Sequence, residues 1–295
     1  MSATPPTAVP AFRGRIGRDV RSGHYAVPRR YQLHLSLSCS SGLQIAVTHS
    51  LLGLADVLPV TLLPAAPDAP GGGYTALRPL YEASSHQYPG PASAPVLSDG
   101  WTGRIVSSHA PDILHDLALR FGGNGPELYP QGAREEIEAL ARLCALDVNE
   151  AAQRAGTLGI GGASHETYLA TLLAALGGLE QRLSGQEYVL GGELTAADVG
   201  VWVTLVQFDT VHRWHLDAAA VNRVAAHPAV WAYAQRLAAH PAFGCHLDTD
   251  GIARRHHAHC RGLEAAGAAM QIVDWSACTP RRTTAPAQGP TARQP

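Results

Sequence analysis

The chain has 295 residues, 46% of them hydrophobic, enough to bury a sizeable core in one large or two small domains. Its formal net charge is −2 and it has no basic run, so it lacks the electrostatic footprint of a nucleic-acid or anionic-membrane binder. A small molecule is the expected partner, with no nucleic acid and no membrane. No apolar stretch reaches the length of a membrane span, and the first residues lack a signal peptide's apolar core, so a cytoplasmic location is expected.

In chain order, residues 31–38 alternate, with Tyr31, Leu33, Leu35 and Leu37 on one face and Gln32, His34, Ser36 and Ser38 on the other. That is the period of a strand. After Cys39 the apolar positions Leu43, Val47, Leu51 and Leu54 recur at helical spacing, so strand gives way to helix at a thiol. Residues 57–63 read as a second strand, with Pro59 suited to a sheet edge, and a Pro- and Gly-rich loop continues to Gly73. Residues 94–97 and 104–107 flank a turn at Asp99 and Gly100 and read as a hairpin, and residues 112–119 as a short helix.

Beyond the break at Gly122 to Gly125 the signals are helical. Tyr168, Leu169, Leu172, Leu173, Leu176, Leu179 and Leu183 draw one apolar stripe along a long helix. Thr195 and Asp198 have capping-box spacing, flanked by Leu194 and Val199 as a hydrophobic staple. The helix they start carries Trp202, Leu205, Val206 and Asp209, and Pro228 and Pro241 punctuate the later helical segments. From Arg281 the chain is polar and Pro-rich, the composition of a disordered tail. The expected divisions are an arm over 1–30, a strand-containing domain over 31–121, an all-helical domain over 126–262 and an extension over 263–295.

Five cysteines, Cys39, Cys144, Cys245, Cys260 and Cys278, are odd in number and scattered, which argues against a disulfide framework and fits reduced thiols. Among 15 histidines, the tract His256, His257, His259 followed by Cys260 invites a metal reading, with Cys245 and His246 nearby in sequence. Adjacent residues on a helix point in different directions, so these three histidines do not converge, and no metal is expected.

Several strings carry a resemblance. Arg30-Tyr31-Gln32-Leu33-His34-Leu35-Ser36-Leu37-Ser38-Cys39 resembles the strand leading to the catalytic Cys-Pro-Trp-Ala of the glutathionyl-hydroquinone reductases, the Xi class of glutathione transferases. Phe12-Arg13 with Arg15-Ile16 resembles their N-terminal arm, and Arg78-Pro79-Leu80-Tyr81-Glu82, Ala94-Pro95-Val96-Leu97 and Thr102-Gly103-Arg104-Ile105-Val106 resemble further blocks. In the helical half, residues 183–188, 194–198 and 204–209 do the same. The resemblance implies a glutathione transferase fold, α/β plus all-α, with a thioredoxin-like domain holding the thiol and a helical domain supplying an aromatic pocket. It also implies a homodimer. In such enzymes the cysteine thiolate attacks the sulfur of a glutathionyl-hydroquinone, releases the quinol and leaves a mixed disulfide that a second glutathione resolves.

The departures cluster at the chemistry. Ser40, Ser41 and Gly42 replace Pro, Trp and Ala, and Leu43-Gln44 replaces His-Arg. His109 and Ala110 stand where the family's Glu-Ser pair binds the γ-glutamyl end of glutathione. At ~1.5–3 kcal/mol for a hydrogen bond to a charged group, that loss weakens glutathione by ~10-fold or more. Three family tyrosines correspond to Gln153, His212 and His257.

Cys39 is therefore the expected nucleophile, and Ser40 or Ser41 is an alternative donor to a bound sulfur. His109, His212 and His257 are candidate acid-base groups of the cleft. Ala94 and Pro95 remain as a cradle for a thiol peptide, the peptide between them usually being cis in this fold. The expected thiol cofactor is glutathione or, given a composition suggestive of GC-rich codons, mycothiol. The expected activity is thiol-dependent transfer or reduction on a small aromatic or quinone-like compound. The alternatives are an inactive binding or scaffold homologue, and a thiol-independent tailoring enzyme using the cleft histidines.

Overall fold

The computed structural model describes residues 12–157, 163–260 and 270–278. The sequence expectations for residues 1–11, for the tail from Arg281 and for residues 261–269 lie outside the described residues.

A four-stranded sheet carries the first half, in the order β2-β1-β3-β4, with β1 at Tyr31–Leu35, β2 at Val60–Leu62, β3 at Val96–Asp99 and β4 at Arg104–Ser107. β1 pairs with β2 in parallel, Leu33 opposite Val60, and with β3 antiparallel, Leu33 opposite Leu97. β2 is an edge strand, as Pro59 implied. Both β1 and β2 are shorter than the alternation predicted. β1 stops at Leu35 because the next serines leave the ladder: Ser38 O–H donates to the Ala65 carbonyl, and the Ser36 hydroxyl lies 2.9 Å from that of Ser38 and 3.0 Å from the Pro64 carbonyl. The hairpin β3-β4 forms as expected, with a register shift between Leu97 and Ser98.

Helix α1, Ser40–Leu51, begins directly after the thiol. It is buried on two sides: Ile45 and Ala46 pack with Tyr31, Leu33 and Leu35 of β1, and Leu43 and Val47 join the helical half. Helix α2, Arg78–Ser84, was not foreseen, because a Gly- and Pro-rich loop precedes it and Pro79 stands in its first turn. It covers the other face of the sheet with Tyr74, Leu77 and Tyr81 against Val96 and Ile105. Helix α3, Ala110–Arg120, closes this half.

The N-terminal arm guards the open side of β4. Gly14 N–H donates to the Val106 carbonyl at 2.8 Å and Ser108 N–H to the Phe12 carbonyl at 3.0 Å. Any side chain at Gly14 would place its Cβ 2.5 Å from the Val106 carbonyl oxygen, so the approach requires glycine. Covering an edge in this way removes a template for wrong pairing.

The second half is helical throughout the described residues. α4 is Arg134–Arg142, a π-helical segment Leu143–Glu150 leads into α5, Ala151–Thr157, and the apolar stripe forms α6, Ala163–Leu183. α7, Ala196–Thr210, runs through the core. A tight 3₁₀ turn His212–His215 leads to α8, Ala218–Ala225, α9, Pro228–Ala239, and α10, Pro241–Gly244, the prolines opening the last two. α11 is Thr249–His259 and α12 is Trp275–Cys278.

Carboxylates anchor both ends of α7. Asp198 accepts from Thr195 N–H at 2.8 Å, Val189 N–H at 2.9 Å and Tyr233 O–H at 2.9 Å, and Thr195 O–H donates to it at 3.0 Å. Asp209 accepts from Ile272 N–H at 2.8 Å, Val273 N–H at 3.1 Å and the Trp275 indole at 2.9 Å. Residues 270–278, expected only as part of an extension, are therefore docked on α7, with Val273 and Trp275 buried. No helix among the described residues is long and apolar enough to cross a membrane.

Candidate functional site

Cys39 is the N-cap of α1, in extended conformation at φ −100° and ψ 145°. Its Sγ accepts from Gly42 N–H at 3.3 Å, and its S–H donates to the Ser36 carbonyl at 3.2 Å. Helix N-terminal amides favour a thiolate, while burial favours the neutral thiol. Burial wins and pushes the Cys39 thiol above its ordinary range, against the opposing pull of the Arg255 guanidinium and the amides of the first turn.

Arg255, which the sequence reading did not single out, places its cation where it acts on Cys39. It reaches from α11, donating to the Tyr74 hydroxyl at 2.8 Å and the Ala65 carbonyl at 3.3 Å. The Ala65 carbonyl thus gathers Ser36, Ser38 and Arg255 at one point beneath the thiol loop. Gly42 has its own reason to replace the family's alanine: a Cβ there would lie 2.1 Å from the Ser36 carbonyl oxygen and 3.0 Å from Cys39 Sγ. The thiol loop is folded tightly enough onto α1 to demand glycine.

Ser40 is exposed at the start of α1 and Ser41 is half-buried beside it. A cavity of about 880 Å³ opens between α1, α3, α4 and α7, lined among others by Ser40, Gln44, His115, Tyr129, Cys144 and Thr204. The Cys144 thiol is buried and pushed up to about 11, so it is inert at neutral pH. The Ala94–Pro95 peptide is cis, with Pro95 buried ahead of β3.

The three candidate histidines stand in three different surroundings. His109 caps α3 next to Ala110 and turns toward the arm, its Nδ1 2.9 Å from the Asp112 carboxylate. Asp112 also holds Arg13 at 2.7 Å, and Asp116 holds Arg15 at 2.6 Å. Burial works against the Asp112 charge, but Arg13 and His109 prevail and hold its carboxyl below the usual range. His109 thus stands in a structural clasp with Asp112 and Arg13. His212 is buried on the 3₁₀ turn, and burial, reinforced by His256 and His215, pulls its imidazole down to about 4. It is neutral near pH 7 and cannot serve there as a general acid from the charged form. His257 is exposed and lies against Trp214, ring centroids 4.8 Å apart. Gln153 is exposed on α5.

A different cluster forms nearby. His215, His256 and Cys260 bring their ligand atoms within 4.8 Å of one another. Helical spacing rightly separates His256 from His257, and the reading that excluded a metal missed that the partner of His256 comes from the turn before α8. Among the described residues Cys39, Cys144, Cys245 and Cys260 are free thiols.

The family model for the glutathione S-transferase C-terminal domain matches residues 137–236. The glutathionyl-hydroquinone reductase PcpF of Sphingobium chlorophenolicum is 26% identical over 237 residues, covering 74% of this chain and 75% of the relative. A glutathione transferase from Gordonia bronchialis superposes with a TM-score of 0.72 at 28% identity, covering 83% of this chain and 81% of that one. The glutathione-bound structure of YqjG from Escherichia coli superposes with a TM-score of 0.68 at 25% identity, covering 79% and 81%. The chain has the glutathione transferase fold, and its likeness to glutathionyl-hydroquinone reductases and Xi-class enzymes runs through both halves.

Proposed function

We propose that this chain, built on the glutathione transferase fold, is a thiol-dependent transferase or reductase acting on a small aromatic or quinone-like compound, with Cys39 as nucleophile. The observation that carries this reading is the placement of Cys39: its sulfur caps a helix N-terminus, accepts the Gly42 amide and feels the Arg255 cation. A thiolate formed there attacks the sulfur of a thioether-linked quinol, the carbon–sulfur bond breaks, and the quinol leaves with a proton. The enzyme is left as a mixed disulfide, which a second low-molecular-weight thiol reduces, regenerating Cys39.

The names of the relatives support glutathione as that thiol. The absence of the Glu-Ser pair at His109 and Ala110 supports weaker glutathione binding than theirs, and leaves room for mycothiol. The cavity beside Ser40 is of a size that suits a small aromatic acceptor. We assign the working state to a cytoplasmic homodimer, in keeping with the resemblance.

A second reading, a binding homologue that has lost catalysis, draws support from the burial that keeps Cys39 protonated. One assay decides between them: quinol release from a glutathionyl-hydroquinone by the full chain and by Cys39→Ser. Release by the first and loss in the second is expected. Equal rates in both, or none in either with the glutathione and mycothiol conjugates, would overturn the proposal.

A further inference from the structure

We propose that His215, His256 and Cys260 bind one zinc-class divalent cation, as three protein ligands with a fourth position open to water or a small ligand. The site uses none of the residues assigned above to thiol chemistry.

His215 Nε2 lies 2.9 Å from His256 Nε2 and 3.5 Å from Cys260 Sγ. Zinc bonds of ~2.0–2.1 Å to imidazole and ~2.3 Å to thiolate place tetrahedral donors roughly 3.3–3.6 Å apart. The His215–Cys260 separation already matches, and the two imidazoles need to part by a few tenths of an ångström. The third separation is at most 4.8 Å and closes by side-chain rotation.

The backbone prepares this arrangement from two elements. His256 and Cys260 stand four residues apart at the end of α11, on one face of the helix, and Cys260 N–H donates to the His256 carbonyl at 2.7 Å to close that turn. His215 comes from the 3₁₀ turn, which packs close against α5 at Gly156, where a Cβ would lie 2.5 Å from that of His215. All three ligands are half-buried, so an ion can reach them and water can hold the fourth position.

The donor set selects the metal. Two imidazoles and a thiolate suit zinc and its neighbours and disfavour magnesium and calcium, which take oxygen. In the 2.9 Å contact one Nε2 donates its proton and the other accepts it. A bound cation takes a lone pair from each ring, so the bridging proton moves to Nδ1 of its own ring. The Cys260 thiol loses its proton to solvent. Binding therefore releases one proton and tightens as pH rises. The ion would tie the end of α11, the helix that carries Arg255 to the thiol site, to the turn just after α7.

The test uses tag-free full-length protein stripped with a chelator. Zinc is titrated by calorimetry, and cobalt(II) is followed by absorbance. One equivalent of zinc and a thiolate-to-cobalt charge-transfer band are expected. Cys260→Ser should lose the band, and His256→Ala and His215→Ala should each weaken zinc by about tenfold or more, the scale of losing an important metal contact. Cys39→Ser should retain both signals. Absence of a thiolate band in the unsubstituted protein, loss of the signals in Cys39→Ser, or zinc binding unchanged in the Cys260 and His256 variants would overturn the proposal.

Discussion

α7 and α1 both place an acidic group at a helix end, and they surround it differently. At the ends of α7, Asp198 and Asp209 are fully buried and surrounded by donors from the backbone, a tyrosine and an indole. At the start of α1, Cys39 has the Arg255 cation and the amides of the first turn against the cost of its own burial. The donors around α7 serve architecture, even though burial still pushes the Asp209 carboxyl above its usual range; at the thiol, burial pushes the pKa up against few opposing contacts. A site balanced in this way responds to one added or removed contact, and the scaffold around it does not.

The largest expected effect comes from breaking the scaffold side. Asp209→Ala should cost ~3–5 kcal/mol in urea unfolding, because it removes the acceptor of the Ile272, Val273 and Trp275 donors, at ~1–3 kcal/mol for each buried group left unsatisfied, and frees residues 270–278 from α7. Limited proteolysis should then cut near that segment.

In the sheet half the equivalent pair is Arg30 and Asp99, 2.7 Å apart and buried. Arg30→Ala should cost about 3 kcal/mol. Burial opposes the Asp99 charge, but Arg30 outweighs it and holds the carboxyl below its usual range. The folded state thus binds this proton less readily than the unfolded chain. The pair's stabilisation is complete above the unfolded carboxylate pKa of ~3.9 and is lost as pH falls through the lower folded value. Melting curves between pH 7 and pH 3 should show a smaller acid loss from this pair in Arg30→Ala.

Gly42→Ala, which restores the family's residue, should destabilise by ~1–3 kcal/mol, since its Cβ meets the Ser36 carbonyl. Arg255→Gln should sharpen the contrast. Its stability change should stay within ~1 kcal/mol, while Cys39 alkylation at pH 7 slows ~3–10-fold as the thiol rises further. Ser40→Ala, at an exposed position, should shift stability by no more than ~0.5 kcal/mol.

Much of the scaffold was legible because its signals are local. The alternation over Tyr31 to Leu35, the stripe from Leu169 to Leu183 and the Thr195–Asp198 cap each declare themselves within a few turns of chain. β1 proved shorter because Ser36 and Ser38 bond to the loop carbonyls of Pro64 and Ala65, well ahead in the chain, which alternation does not record. At the candidate site, the place of Cys39 at a helix start and the cis peptide between Ala94 and Pro95 were legible, and less was legible elsewhere. Arg255 reaches a carbonyl 190 residues away. His215 and His256 meet across 41 residues. His109, His212 and His257 look alike in sequence, yet the fold gives the first to Asp112, buries the second and lays the third, tilted, against Trp214.

The most direct test of Cys39 as nucleophile is mass-spectrometric mapping of mixed disulfides after brief exposure of the full chain to glutathione disulfide or mycothiol disulfide across pH 6 to pH 10. The account predicts an adduct on Cys39, formed faster than on Cys144 and still gaining rate above the ordinary thiol range, because burial holds its pKa up. A Cys39 that stays unmodified throughout, while other cysteines react, would contradict it.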